Sequence, residues 1–294
     1  MAGLHIIDGG LSTELERLGA RVAGELWTGR ALLDEPQTVT AAHRSYVDAG
    51  AQVVITSSYQ LSRQGFEEVG LTAEQADEAL RASIAVAREA VAGTGTKVAA
   101  SVGPYGAVLH DGSEYRGDYT VTQEQLEGFH RERLEVLLSA EPDLLAIETI
   151  PNVVEAKALA TVLADVEIPK WISFTAASGS HLWSGEPIEE AVAAVKDVPN
   201  LLAVGVNCVD PANVAELAAR IHSVSQIDVI AYPNRGGVWD SAAGVWIGQE
   251  PKTLAQWLPL WQEAGIAWIG GCCGTHSGDI AELTSAARGP AATS

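Results

Sequence analysis

The stretch from Leu202 to Tyr232, LAVGVNCVDPANVAELAARIHSVSQIDVIAY, holds one full structural period of the chain. Leu202 to Asn207 is a short apolar run of strand length, and Asp210-Pro211 then supplies an N-cap with proline at the first helical position. Val214, Leu217, Ala218 and Ile221 follow at i, i+3, i+4 and i+7, one apolar stripe that a helix turns toward a sheet. Asp228 to Tyr232 is the next strand. A strand, a crossover helix and a second strand in about 30 residues is a parallel βαβ unit.

The same rhythm runs along the whole chain. Leu4 to Asp8, Gln52 to Ser57, Lys97 to Val102, Asp143 to Glu148, Trp171 to Thr175 and Ile266 to Ile269 bring the expected strands to eight. Thr72 and Thr122 each precede a Gln by three residues, a capping-box start, and Ser277 opens the last helix. Eight strands alternating with helices point to an α/β fold, a closed (β/α)8 TIM-type barrel in a single domain; an open doubly wound sheet is the other architecture with this rhythm. The domain is expected over residues 1–289, with 290–294 as a short disordered tail.

Composition narrows the function. Eighteen Lys and Arg against 38 Asp and Glu leave a net charge of −20, which repels nucleic acid and anionic lipid. No apolar run approaches the ~20 residues of a membrane span, no charged-then-apolar leader precedes Asp8, and the cysteine count is odd. A cytoplasmic enzyme acting on small molecules is expected, with no nucleic-acid or membrane partner.

Those three cysteines carry the chemistry. Cys208 follows the sixth expected strand, and Cys272-Cys273, between Gly271 and Gly274, follow the eighth. In a (β/α)8 barrel, active sites sit at the C-terminal strand ends, so all three face one rim. Asp8, Tyr59, the Ser101 to Pro104 turn, Glu148 and Asn234 fall at or just beyond strand ends on that rim. No His-Glu-x-x-His motif is present, so sulfur dominates any metal site, which favours zinc over magnesium, calcium or manganese. Three thiolates leave a fourth tetrahedral position open, and an incoming thiol there loses its proton. The fitting chemistry is alkyl transfer to sulfur.

The chain resembles the homocysteine S-methyltransferase family, in particular the type that uses S-methylmethionine or S-adenosylmethionine. The resemblance rests on Asp8-Gly9-Gly10 with Thr13-Glu14-Leu15, Ala49 to Ala51, Thr56 to Gln60, Gly103 to Ala107, DGSEYRGDY at 111–119, Glu148 to Asn152, Asn207-Cys208, Tyr232-Pro233-Asn234, and Gly270 to Thr275. It implies that Cys208, Cys272 and Cys273 hold zinc and that residues 1–289 form a homocysteine-binding barrel. It further implies that Asp8 and Glu148 hold the α-amino group of homocysteine, by charge-assisted contacts. Gly9 can bring its backbone close to the substrate carboxylate. Tyr59 and Asn207 complete the expected substrate contacts, and Asn234 is a candidate fourth ligand or substrate contact.

The long connection from Gly103 to Val121 is expected to cover the methyl donor. Tyr59, Tyr105, Glu114 and Asp118 are the candidates to hold a sulfonium cation, through aromatic faces and carboxylates. Trp239 and Trp246 bracket an expected hairpin. Arg235 and Gly237 stand where the family commonly has a small hydroxyl residue and a glutamate, so donor preference does not transfer with the motif. The expected reaction is direct displacement, homocysteine thiolate attacking the methyl carbon of the donor. Alternatives are a betaine-dependent or other thiol methyltransferase of the same superfamily, a zinc hydrolase or lyase, and a non-catalytic zinc or redox-sensing barrel.

Overall fold

The computed structural model describes residues 3–22, 26–236, 238–240, 245–247 and 252–289; the expected tail 290–294 and Gly237 lie outside them. The barrel strands are β1 (His5–Ile6), β2 (Val53–Ile55), β3 (Lys97–Val102), β4 (Leu144–Ile150), β5 (Lys170–Phe174), β6 (Leu201–Asn207) and β7 (Asp228–Tyr232). A short antiparallel pair, β8 (Val238–Asp240) and β9 (Val245–Ile247), precedes the last barrel strand, β10 (Ile266–Ile269). The sheet runs β1-β10-β7-β6-β5-β4-β3-β2, every adjacent pair parallel.

A parallel bridge between Ile7 and Val53 joins the two end strands. Around it Asp8 N–H donates to the Val53 carbonyl at 3.1 Å and Gln52 N–H to the Ile6 carbonyl at 2.8 Å. This seam selects the barrel over the open sheet. It also explains why β1 and β2 are shorter than the apolar runs that encode them. The Gln52 side chain accepts from Ile6 N–H, and the Asp8 side chain accepts from Ile55 N–H, so side chains occupy positions that a longer backbone ladder would use.

Two apolar layers follow from burying each strand on both faces. Inside the ring, Ile7, Val53, Ala99, Ala146, Trp171 and Ile230 are among the residues that fill the barrel, with Tyr232 above them. Outside, a larger cluster packs the strands against the helices and includes the stripe Val214, Leu217, Ala218 and Ile221.

Helix starts follow the capping signals. Thr72 with Gln75, Thr122 with Gln125 and Thr253 with Gln256 form complete capping boxes. Asp210 caps a short 3-10 turn, Pro211–Asn213, and the α-helix proper begins at Val214. Ser277 is the first residue of the last helix, but the capping residue is His276, whose ring accepts from Gly278 N–H. The hairpin expected around the two tryptophans is present, with Trp239 paired to Trp246; its turn, 241–244, lies outside the described residues. Among the described residues no helix is long and apolar enough to cross a membrane.

Candidate metal centre and substrate pocket

The eighth barrel strand delivers the double cysteine into a turn built by hydrogen bonds to two other strand ends, those of β7 and β1. Gly270 N–H donates to the Ala231 carbonyl, Gly271 N–H to Asp8 and Cys272 N–H to Pro233. Thr275 closes the turn, its hydroxyl donating to the Cys272 carbonyl at 2.6 Å and accepting from Gly10 N–H at 3.0 Å. Gly10 must lack a side chain, because a Cβ there would stand 2.4 Å from the Cys272 carbonyl oxygen. On the facing side, Cys208 N–H donates to the Tyr232 carbonyl, and Cys208 adopts a left-handed φ of 54° that turns its side chain out of the strand direction.

The three thiols converge. Cys208 Sγ lies 3.5 Å from Cys273 Sγ and 3.2 Å from Cys272 Sγ, and all three sulfurs fall within 4.8 Å of one another. A tetrahedral centre with metal–sulfur bonds of ~2.3 Å places its sulfurs about 3.8 Å apart, so small side-chain adjustments suffice to admit a metal. Hydrogen bonds from Cys208 and then Cys272 hold the Cys273 thiol well below its usual range, so the cluster already favours a thiolate. The arrangement can hold a soft divalent metal through three sulfurs, with its fourth side toward the cleft.

That cleft has a volume of about 90 Å³, and Gly9, Tyr59, Glu148, Asn207 and the three cysteines are among the residues that line it. Two buried carboxylates belong to this region: Glu148 lines the cleft, and Asp8 lies behind its lining residues Gly9 and Ile55. Glu148 is 8% exposed and accepts from the Ser101 hydroxyl; burial pushes it up to about 7 despite that bond. Asp8 is 2% exposed, and burial first, then the nearby Glu148 charge, drives it well above the carboxylate range against a hydrogen bond from Ile55 N–H. Asp8 Oδ1 has no hydrogen-bond partner among the described residues. Among the described residues no lysine, arginine or histidine lines the cleft. Buried acids without a cation are costly, and here one of them, Glu148, faces an opening from which a ligand can supply one.

The other expected site residues divide into those the fold brings to the cleft and those it does not. Tyr59 is half-buried against it, edge-on to Trp27 at 6.3 Å, with its hydroxyl buried and unpartnered among the described residues. Arg133 fixes it there, donating to the Tyr59 and Gly103 carbonyls at 2.9 Å each; burial lowers its guanidinium to about 10, still charged at neutral pH. Gly9 lines the cleft, whereas the Gly10 amide is taken by Thr275. Asn207 reaches the cleft wall with its carboxamide engaged by Thr149 and Ser173. Asn234 Oδ1 accepts from Cys273 N–H at 3.2 Å, which makes it a brace of the double-cysteine turn. Arg235 braces the same turn through its backbone, and its side chain points to His276 and Asp279.

The connection from Gly103 to Val121 is a strap rather than an open loop, with short 3-10 turns at Tyr105–Leu109 and Ser113–Tyr115. Glu155, fully buried in the helix Val153–Leu163, accepts from Tyr105 N–H, His130 Nε2 and the Tyr119 hydroxyl. This anchoring sets where two of the expected donor-binding residues lie. Tyr105 packs its ring against Tyr119 and Phe129, and exposed Asp118 pairs with Arg116, so neither reaches the cleft. Glu114 stays close, with Oε2 buried and, among the described residues, unpartnered, and its carboxyl raised by burial. Tyr115, which the sequence does not single out, places its hydroxyl 3.5 Å from Cys208 Sγ. Thr149, next to Glu148 at the end of β4, also lines the cleft, as does Trp27, which carries no sequence signal because only long-range packing puts it there.

Fold and site together define a (β/α)8 barrel enzyme with a three-thiol centre at the rim where such barrels carry catalysis. The family model described as homocysteine S-methyltransferase matches residues 5–287. The chain is 41% identical over 290 residues to a homocysteine S-methyltransferase of Escherichia coli, covering 95% of this chain and 93% of that protein. It is 39% identical over 307 residues to homocysteine S-methyltransferase 4 of Zea mays, covering 97% and 90%. The crystal structure of the homocysteine methyltransferase MmuM from Escherichia coli in its metallated form superposes with a TM-score of 0.85 at 40% identity, covering 95% of each chain. The chain belongs to the homocysteine S-methyltransferase family.

Proposed function

We propose that the protein transfers a methyl group from a sulfonium donor, S-methylmethionine first and S-adenosylmethionine second, to the thiol of L-homocysteine, giving methionine. Cys208, Cys272 and Cys273 would hold zinc, the metal that a sulfur-only donor set at this spacing suits best. When bound, zinc lowers the pKa of the incoming thiol and keeps it as a thiolate at neutral pH.

The observation that carries the reading is the pair of buried acids near the thiols, with no lysine, arginine or histidine lining the cleft among the described residues. An amino acid bearing a thiol answers both features: its ammonium meets Asp8 and Glu148 while its sulfur turns to the cysteines. Gly9 gives the substrate carboxylate close access to backbone. Trp27, Tyr59 and Tyr115 present aromatic surface to the cleft, and the strap's own Glu114 supplies a buried carboxylate as counter-charge, an arrangement suited to a sulfonium. The new sulfur–carbon bond forms as the donor's carbon–sulfur bond breaks, and the departing pair neutralises the sulfonium. Alignment of nucleophile, methyl and leaving sulfur is the larger part of what the residues contribute.

In this reading residues 1–289 are one domain, the partners are small molecules, and the setting is the cytoplasm, where thiols stay reduced. The test is a paired assay of zinc-loaded protein with homocysteine and each of S-methylmethionine, S-adenosylmethionine, betaine and methyl-folate. Methionine formation is expected with the two sulfonium donors and highest with S-methylmethionine. Turnover with betaine alone would move the chain to the betaine-dependent type, and none with any donor would refute the proposal.

A further inference from the structure

Two non-glycine residues in left-handed conformation flank the recognition groups of the site. Thr149, at a φ of 64°, directly follows Glu148, and Cys208, at 54°, directly follows Asn207. A β-branched residue in this region is strained and persists only where its surroundings hold it. Asn207 supplies that hold. Its Oδ1 accepts from Thr149 N–H at 2.8 Å and from Ser173 Oγ at 2.8 Å, while its Nδ2 donates to Thr149 Oγ1 at 2.7 Å.

All three residues are buried, and each sits at the end of a different strand or just beyond it: Thr149 on β4, Ser173 on β5, Asn207 on β6. β4 and β6 are not neighbours; β5 lies between them. The carboxamide therefore spans a strand to grip the backbone next to Glu148, while its own chain leads straight into Cys208. The Thr175 hydroxyl adds a bond to the Cys208 carbonyl at 3.3 Å.

We infer that the Asn207–Thr149 pair is a positioning clasp that fixes the Glu148 carboxylate and the Cys208 sulfur relative to each other, so that metal affinity and homocysteine affinity rise and fall together. If the clasp opens, Thr149 relaxes toward ordinary strand backbone and swings Glu148, while the turn at Cys208 loses the residue that anchors it. Asn207 is then a residue that acts through two others, with most of its hydrogen-bonding capacity spent on the clasp and little left for the ligand. The inference rests on the functional reading above, in which Cys208 holds metal and Glu148 holds the ammonium.

The test compares wild type with Asn207→Ala, Thr149→Val, Thr149→Ser and the Asn207→Ala/Thr149→Val double variant. Zinc affinity is read by chelator competition and homocysteine affinity by calorimetry on zinc-loaded protein. Loss of an outer partner of a metal ligand costs about 10–100-fold in metal affinity. Asn207→Ala should lose that much zinc affinity and at least about tenfold in homocysteine affinity. Thr149→Val, which keeps volume and removes the hydroxyl, should move both constants in the same direction, and Thr149→Ser, which keeps the hydroxyl, should leave both within about threefold of wild type. The double variant should fall little beyond Asn207→Ala alone, as coupled neighbours do.

An Asn207→Ala protein weakened for homocysteine but not for zinc would make Asn207 a direct substrate contact and overturn the clasp. So would a Thr149→Val protein unchanged in both constants, or losses that add in the double variant. A wild-type chain that binds neither zinc nor homocysteine would overturn the functional reading, and the clasp with it.

Discussion

Replacing Glu148 by Gln should make the ligand-free protein more stable and the enzyme worse, with a pH dependence that burial dictates. Glu148 sits at about 7 in the fold against an ordinary value of 4.5, with burial the principal cause. At about 1.36 kcal/mol per pKa unit, that difference is about 3 kcal/mol. A folded-state value above the unfolded one means the contribution to stability is fully present below pH 4.5 and is lost as pH rises to about 7. Wild type therefore carries the penalty at pH 8, and a carboxamide that still accepts from Ser101 does not. Thermal denaturation of both proteins at pH 5, 6, 7 and 8 should show Glu148→Gln nearly level with wild type at pH 5. By pH 8 it should melt higher by roughly 6 °C, at about 2 °C per kcal/mol for a chain of this size. The same variant should bind homocysteine ~10–100-fold more weakly, the worth of one hydrogen bond to a charged group. Equal destabilisation of the variant at pH 5 and pH 8 would refute the claim that Glu148 is an acid held in waiting for a cation.

Glu155→Gln removes one of the acceptor oxygens that pin the strap, so hydrogen–deuterium exchange across 103–121 should accelerate and the apparent affinity for the sulfonium donor should fall more than that for homocysteine; unchanged exchange would argue against Glu155 as the anchor. Gly10→Ala places a methyl 2.4 Å from the Cys272 carbonyl oxygen and so displaces the double-cysteine turn. Chelator competition should show zinc affinity down by tenfold or more, on the order seen when a ligand's support is disturbed, and an unaltered affinity would contradict the turn's role.

Much of the barrel is legible because parallel strands buried on both faces must be written as short apolar runs, and Lys97 to Val102, Asp228 to Tyr232 and Ile266 to Ile269 coincide with β3, β7 and β10. The ends at β1 and β2 are less so. There Asp8 and Gln52 take over ladder positions with side chains, a choice that depends on the barrel closing. The cysteines stand out in sequence because thiols are rare and chemically singular, and the fold brings them together from two strand ends. Tyr115 carries no such mark: a tyrosine in a Gly- and Asp-rich stretch reaches Cys208 only because Glu155, 40 residues later in the chain, fixes the strap. The same reason explains the positions of Tyr105 and Asp118, whose side chains meet partners within the strap. The partner of Asn207 is hidden as well, since it depends on a threonine in left-handed conformation, which strand propensity does not anticipate.

The central claim is that three thiols of this chain hold a zinc whose fourth position receives the homocysteine sulfur. X-ray absorption at the zinc edge, recorded on reduced protein before and after homocysteine is added, addresses it most directly. The account predicts three sulfur neighbours at ~2.3 Å and a lighter fourth neighbour without substrate, four sulfurs with it, and loss of tight zinc binding in Cys273→Ala. A coordination shell that does not change on adding homocysteine, or a Cys273→Ala protein that keeps both its zinc and its methyl transfer, would contradict it.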